Sequence, residues 1–305
     1  MQLSDKTRSL IYLHGAVILF GFTAILGNLI NLSALMLVWW RVVITCISLF
    51  FILKWRKVQF KFTRETNFTL IGIGFIVGLH WLCFYGSVKL ANASVSLICM
   101  ATTSFFTSFL EPIIMKGKVQ KIEMIIGIAI VPMMALIVSD LNAAYIWGVV
   151  VGLLSAFLAA LFNIFNKKHL DKASPLAMTF MELIGVFILM SIIIPFYQLS
   201  SGSFDFLPKD GMSWVYLLVL ALLCTSFAWV ISLLALKHLS AFESTLVVNL
   251  EPVYGIVFAA VLLKEYEQLN VSFYIGAVLI LCSVILYPML KNKLVKPTFD
   301  EVALK

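Results

Sequence analysis

The sequence predicts an all-α polytopic membrane protein, with ten transmembrane helices arranged as two inverted five-helix repeats. Three observations predict it. Hydrophobic residues fill 62% of the 305 positions and charged residues only 12%, with a mean hydropathy of +1.05; an ordinary soluble domain carries about 25% charged residues. The apolar residues come in blocks of about 20, the length a helix needs to cross a hydrocarbon core of about 30 Å. The basic residues gather at alternate joints between those blocks, as the inner loops of a membrane protein do.

The blocks fall at 10–30, 34–54, 68–88, 91–115, 122–140, 144–166, 174–197, 212–236, 241–263 and 270–290. The joints Asn31–Ser33, Lys89–Leu90 and Lys237–Ser240 are short. Only 198–211, with Ser200, Ser201, Gly202, Ser203, Pro208 and Gly211, reads as a loop, and no joint has room for a soluble domain. Residues 1–141 form the first repeat, 142–290 the second, and 291–305 a cytoplasmic tail. Met1–Arg8 carries Lys6 and Arg8 and leads into a block with no convincing small-residue cleavage site. It reads as a retained helix that doubles as the insertion signal.

With both termini inside, eighteen of the 22 Lys and Arg residues fall on inner segments, and only Arg41, Lys89, Lys209 and Lys264 fall outside or near the outer face. The bias places both termini in the cytoplasm. It also accounts for the net charge of +7, so no nucleic-acid partner is expected. The same clusters can touch anionic lipid headgroups. Trp39, Trp40, Trp147 and Trp214 fall near the outer interface and Trp55 near the inner one, where indoles are favoured. Cys46, Cys83, Cys99, Cys224 and Cys282 are odd in number, unpaired in spacing and inside apolar blocks, so they read as packing residues, with no metal or cofactor expected.

Five spans per half force two homologous halves to insert in opposite senses. Traces of a duplication survive. Trp81 and Lys89 are eight apart, as are Trp229 and Lys237; after a one-residue shift Leu90 matches Leu239, Ser96 matches Thr245, Leu97 matches Leu246, Phe109 matches Phe258 and Gly127 matches Gly276. Inverted repeats of this kind build carriers that alternate between two faces of a membrane.

Charges inside spans are the sharpest functional clues, because each costs about 2.5–3.5 kcal/mol at mid-bilayer on insertion scales. Glu251 lies midway along span nine, before Pro252, which frees a backbone carbonyl; it is expected to face a cavity and take a proton or a cationic group, against the alternative of a neutral Glu bonded to the freed backbone. Ser96, Met100, Thr103, Thr107 and Glu111 share one helical face in span four, fit for lining or for helix packing, with Glu111 placed for an ion pair with Lys116 or Lys118. His80, Trp81 and Tyr85 cluster in span three, with Trp229 the repeat mate of Trp81. Aromatic faces can hold cations, and a histidine can shuttle protons; helix packing and a structural hydrogen bond are the plainer alternatives. Arg41 and Glu182, about seven residues into spans two and seven, are expected as gates or interface anchors, with Arg41 able to snorkel outward. Asn163 is a further polar candidate. Gly74/Gly78 and Gly148/Gly152 permit close helix approach.

No GxxxxGK[ST] phosphate loop occurs, so energy for transport has to come from a gradient. An intramembrane lipid enzyme needs a metal cluster or an acid–base pair, yet HExxH is absent and the histidines are scattered at 14, 80, 169 and 238. A receptor or scaffold needs an output surface larger than these joints.

The chain resembles the EamA-type members of the drug/metabolite transporter superfamily. Ile18-Leu19-Phe20-Gly21-Phe22 is similar to the family's aromatic-Gly element in the first helix, and Trp40-Arg41-Val42-Val43 to its Arg near the start of the second. Most specific are Asn249-Leu250-Glu251-Pro252-Val253-Tyr254-Gly255, Leu262-Leu263-Lys264-Glu265 and Gly276-Ala277-Val278-Leu279-Ile280. The first half departs from the pattern, with Thr103 where the repeat would place a proline and Lys116 opposite Glu265. The resemblance implies a central cavity lined by helices one, three, four, six, eight and nine. It also implies carriage of a small metabolite, often export of an amino acid or a related compound. Proton coupling is the expected driven mode and a facilitator the alternative, in a monomer or homodimer.

Overall fold

The computed structural model describes residues 4–139, 143–201 and 205–263, and individual positions between 271 and 290. Among the described residues the secondary structure is helical throughout. The elements are α1 (Asp5–Leu29), α2 (Ala34–Trp55), α3 (Arg64–Leu90), α4 (Ala93–Met100), α5 (Thr103–Met115), α6 (Lys121–Ser139), a 3-10 turn (Ala143–Tyr145), α7 (Ile146–His169), α8 (Pro175–Ser201), α9 (Gly211–Ala221), a π-helical stretch (Leu222–Phe227), α10 (Ala228–Leu236), α11 (Ala241–Val248) and α12 (Glu251–Leu263). Seven of the helices or consecutive runs are long and apolar enough to cross a membrane, with α4–α5 counting as one run and α9–α10 as another. The predicted tenth span, Lys264, Glu265 and the tail lie largely outside the described residues.

Helix starts follow local chemistry. After each tight joint a short polar side chain accepts a hydrogen bond from one of the helix's free N–H groups: Ser33 from Met36, Thr63 from Thr66, Asn92 from Val95 and Asp210 from Ser213. Ser240 and Glu243 form a reciprocal capping box at α11. Asp210 lies at the surface, and the Ser213 N–H and hydroxyl bonds hold its carboxyl below the usual aspartate range.

Two predicted spans are not continuous. Span four breaks at Ala101–Thr102, between α4 and α5, and span nine breaks at Asn249–Leu250, between α11 and α12. The predicted polar stripe of span four is therefore split. The breaks are repeat mates: Ala93 to Ala241 and Thr103 to Glu251 are both offsets of 148 residues. The one-residue shift expected from sequence matching does not hold across the breaks, and Thr103 stands opposite Glu251, not opposite Pro252.

The halves interleave. α3 packs on α7 and α8, α1 on α10 and α12, α2 on α8 and α9, and α5 on α7 and α11. Small residues allow it. A side chain at Gly74 would run into the Glu182 carbonyl, and one at Gly185 into the Ile71 carbonyl, so α3 and α8 touch backbone to backbone. Gly148 and Gly152 abut Ala91, Cys99 and Ser87 in the same way. Gly21 and Gly255, both from the resemblance motifs, meet where α1 crosses α12. Trp39 and Trp40 are half-buried and donate to Ser191 Oγ (3.0 Å) and the Phe206 carbonyl (2.7 Å); Trp55 and Trp147 are exposed.

Gly74→Val is expected to wedge α3 from α8 and cost about 1–3 kcal/mol, read as a lower thermal-unfolding midpoint of the purified protein. Gly72→Val, with nothing within 4 Å of its added carbon, should leave the midpoint unchanged.

Candidate substrate cavity

The two helix breaks are built by side chains that divert backbone carbonyls. Thr102 Oγ1 donates to Cys99 O (2.7 Å) and Thr103 Oγ1 to Met100 O (2.6 Å), an alternative to the helical ladder that hydroxyls offer. At the second break Pro252 falls in the first turn of α12, where its missing N–H costs nothing. Asn249 ties the breaks together. Oriented by its partners, its amide donates to Thr245 O (3.1 Å) and Ala101 O (3.2 Å), and its oxygen accepts from Ser104 Oγ (2.7 Å). Each half-helix that follows opens with free N–H groups, at Thr103 and at Glu251.

A cavity adjoins these ends, with about 90 Å³ open to the centres of water molecules. Its polar and charged walls include Arg41 of α2, His80 of α3, Thr103, Asn163 and Asn166 of α7, and Glu251. Phe20, Trp81, Phe84, Phe162 and Trp229 make the aromatic wall. Trp81 and Trp229, repeat mates, meet edge to face with ring centres 5.4 Å apart, and Phe162 lies 5.3 Å from Trp229. The lining helices are those the resemblance implies, with the addition of span two through Arg41.

Arg41 is 3% exposed and does not snorkel. Its Nε donates to Thr225 Oγ1 (2.6 Å), its Nη1 donates to Tyr85 Oη (2.7 Å), and its guanidinium lies 3.9 Å over the Trp81 ring. Thr225 belongs to the π-helical stretch, where its hydroxyl also reaches the Leu220 carbonyl (2.6 Å). Among the described residues no carboxylate lies within 4.0 Å of Arg41 and Nη2 has no protein acceptor. Glu251 is 6% exposed, and its carboxylate has no protein hydrogen-bond partner among the described residues. The guanidinium and the carboxyl group line the same cavity without forming an ion pair. This arrangement can hold a molecule that carries an anionic group at one end and a cationic group at the other.

The remaining polar groups are tethered. His80 Nδ1 lies 2.8 Å from Ser155 Oγ and 3.0 Å from Ser155 O, while Ser155 Oγ donates to His80 O (3.0 Å); this fixes the ring and leaves Nε2 as its free nitrogen. Asn163 Nδ2 donates to Ala241 O (3.2 Å). Trp229 Nε1 donates to Glu182 Oε2 (3.1 Å).

Several predicted site residues lie elsewhere. Tyr85 is fully buried behind Arg41. Ser96 Oγ donates to Phe84 O (3.1 Å), and Thr107 Oγ1 to Thr103 O (2.8 Å), so both serve the helix framework. Glu111 makes no ion pair with Lys116 or Lys118. It accepts from the N–H groups of Ala241 (3.0 Å) and Phe242 (2.7 Å), capping α11 from the opposite half, where an acid suits the helix dipole. Glu182 stands behind the cavity wall. Sequence reading missed Asn166, which sits beside Lys167 and reads as a span end, and Thr23 and Phe162, which read as ordinary apolar-block residues; it singles out Phe20 only as part of the aromatic-Gly element, not as a lining residue.

A family model described as the EamA-like transporter family matches residues 7–139 and again residues 146–288. The chain belongs to the EamA-like transporter family. The double match covers both halves, so each half is one EamA-like repeat. A solved structure described only as that of a protein superposes with a TM-score of 0.72 at 11% identity, over 95% of this chain and 99% of the other. That likeness is one of fold. No curated protein matches the sequence. The protein is thus a multi-pass membrane transporter of the drug/metabolite type, and its EamA-like motifs explain the geometry: Gly21 and Gly255 are the α1–α12 contact, Arg41 is the buried cation, and Glu251-Pro252 opens the second half-helix.

Glu111→Ala is expected to strip both acceptors from the start of α11 and destabilise the protein by about 1–3 kcal/mol, measured by thermal unfolding. Glu111→Gln, which keeps one acceptor oxygen, should fall between the variant and the wild type.

Proposed function

We propose that the protein is a secondary transporter that moves a small zwitterionic metabolite, an amino acid or a close relative, across the cytoplasmic membrane by alternating access. The observation that carries this reading is a guanidinium and a carboxyl group in one buried cavity with no ion pair between them. Arg41 offers its free Nη2 to a carboxylate and Glu251 accepts an ammonium group. Thr103 and Asn166 offer further polar contacts, and Trp81, Phe162 and Trp229 flank an apolar side chain. Such sites at the junction of broken helices are a recurring carrier design.

The same reading has ten spans in two inverted repeats, 1–141 and 142–290, with a tail at 291–305 and both termini in the cytoplasm. Matching helix breaks 148 residues apart and the contact between the repeat mates Trp81 and Trp229 support it, since mates that touch lie near a pseudo-twofold axis. Export is the favoured direction and a proton gradient the favoured drive. One chain holds the whole cavity, so a monomer suffices and a homodimer adds nothing to the site.

The test is efflux of a panel of amino acids and related metabolites from proteoliposomes, with and without an imposed pH gradient. Wild type should move zwitterions, faster with the gradient. Glu251→Gln and Arg41→Gln should each lose about 2 kcal/mol or more of substrate recognition, roughly 30-fold in transport at low substrate. Undiminished transport by either variant contradicts the charge-pair reading, and indifference to the gradient makes the protein a facilitator.

A further inference from the structure

Glu182 is a buried acid that the cavity does not use. It lies on α8 with none of its surface exposed. Its Oε2 accepts from Trp229 Nε1 (3.1 Å) and from Asn166 Nδ2 (3.4 Å). Its Oε1 is buried without a partner, and so is Oδ1 of Asn166. Two bare acceptors therefore sit on two side chains already bonded to each other. With the carboxyl ionised, turning the Asn166 amide over would only face oxygen to oxygen at Oε2; with a proton on Oε2, the turned amide oxygen would accept it.

Among the described residues no cation pairs with the acid. Arg41 on α2 is held by Thr225, Tyr85 and Trp81, and His80 on α3 by Ser155. Lys167, next to Asn166 on α7, donates to the Leu236 carbonyl (2.9 Å). α10 carries no ionisable side chain, and no basic group among the described residues comes within 4.0 Å of Glu182. An ionised carboxylate in this place would be a desolvated charge with one oxygen unbonded, the costliest state the chain could give it. A protonated carboxyl gains a donor, and a donor is what the pair lacks.

We propose that Glu182 is a proton-binding site separate from the substrate cavity, a neutral carboxylic acid in this conformation that releases its proton to water and takes one back as the transporter cycles. This rests on the transporter reading above and assigns its coupling ion to a particular side chain. The link to the cavity is Trp229, whose N–H bonds Glu182 while its ring packs on Trp81 and Phe162 in the cavity wall. Trp81 in turn lies under Arg41. Ionisation of Glu182 strengthens its hold on the Trp229 N–H, and water reaches the fully buried carboxyl when α8 moves against the helices packed on it, α2, α3 and α10. Proton loss and movement of the aromatic wall are thereby tied together.

Infrared difference spectroscopy of the purified protein at neutral pH, without substrate, tests the protonation directly. Wild type minus Glu182→Gln should show the carbonyl stretch of a neutral carboxylic acid, and Glu251→Gln should leave that band in place. Trp229→Phe, which removes the hydrogen bond to Oε2, should shift the band without abolishing it. In proteoliposomes Glu182→Gln should bind substrate within about twofold of wild type yet lose accumulation driven by a pH gradient, because the amide copies the protonated form permanently. Carboxylate bands in place of the acid band overturn the proposal, as does gradient-driven accumulation by Glu182→Gln equal to wild type. Should Glu182→Gln fold poorly, the response of the band to Trp229→Phe decides. Failure of the wild type to move any solute would remove the transporter reading, while the infrared band would still decide whether Glu182 holds a proton.

Discussion

The structure depends on the joining of two helix breaks by one amide. In a membrane every backbone N–H and C=O must find a partner within the protein, so an interrupted helix survives only where it is buried against other helices or lines a cavity. Asn249 meets that demand for both interruptions at once, bonding Thr245 and Ala101 carbonyls and taking the Ser104 hydroxyl. The breaks fix where α5 and α12 begin, and that fixes Thr103 and Glu251 as their first residues at the cavity wall. The close contacts of Gly21 with Gly255 and of α3 with α8 then hold the remaining walls around this centre.

The charges follow from that architecture. A buried guanidinium is tolerable when its N–H groups are bonded and its face is covered. Thr225, Tyr85 and Trp81 do this for Arg41 while leaving part of the fork free. The Thr225 hydroxyl is brought there by the π-helical stretch, a wider turn of the kind found at functional sites. Glu251 has the opposite character, with no bonded partner but a place in the first turn of α12, where the helix dipole favours a negative charge. One charge is clamped and one is free, and the space between them is the part of the chain that needs an occupant.

Much of this is legible in the sequence because membrane insertion imposes length and polarity rules on every span. The helices and the short joints follow from apolar block length, and Glu251, Thr103 and His80, singled out by the cost of polar groups in lipid, line one cavity with Trp81 and Trp229. The helix breaks do not. Ala101-Thr102 lies inside a block of span length with no proline before Pro112, and whether a hydroxyl bends a helix or decorates it is decided by carbonyls and neighbours from another span. The same limit explains Glu111. Proximity in sequence favours an ion pair with Lys116, while the fold brings two N–H groups from the first turn of α11 to the Glu111 carboxylate. Arg41 reads as a boundary residue by its distance from the span end. Its burial depends on Tyr85 and Thr225, which lie 44 and 184 positions away and which no local pattern connects to it.

The most direct measurement of the central claim is calorimetric binding of an amino acid to the purified wild-type protein, compared with its N-acetyl derivative and its carboxamide. The account predicts that loss of either charge weakens binding by about 2 kcal/mol or more, roughly 30-fold, because each derivative leaves Glu251 or Arg41 buried opposite a neutral group. Equal affinity for the parent compound and either derivative would contradict it, and would leave the cavity as an aromatic pocket whose charges serve the fold alone.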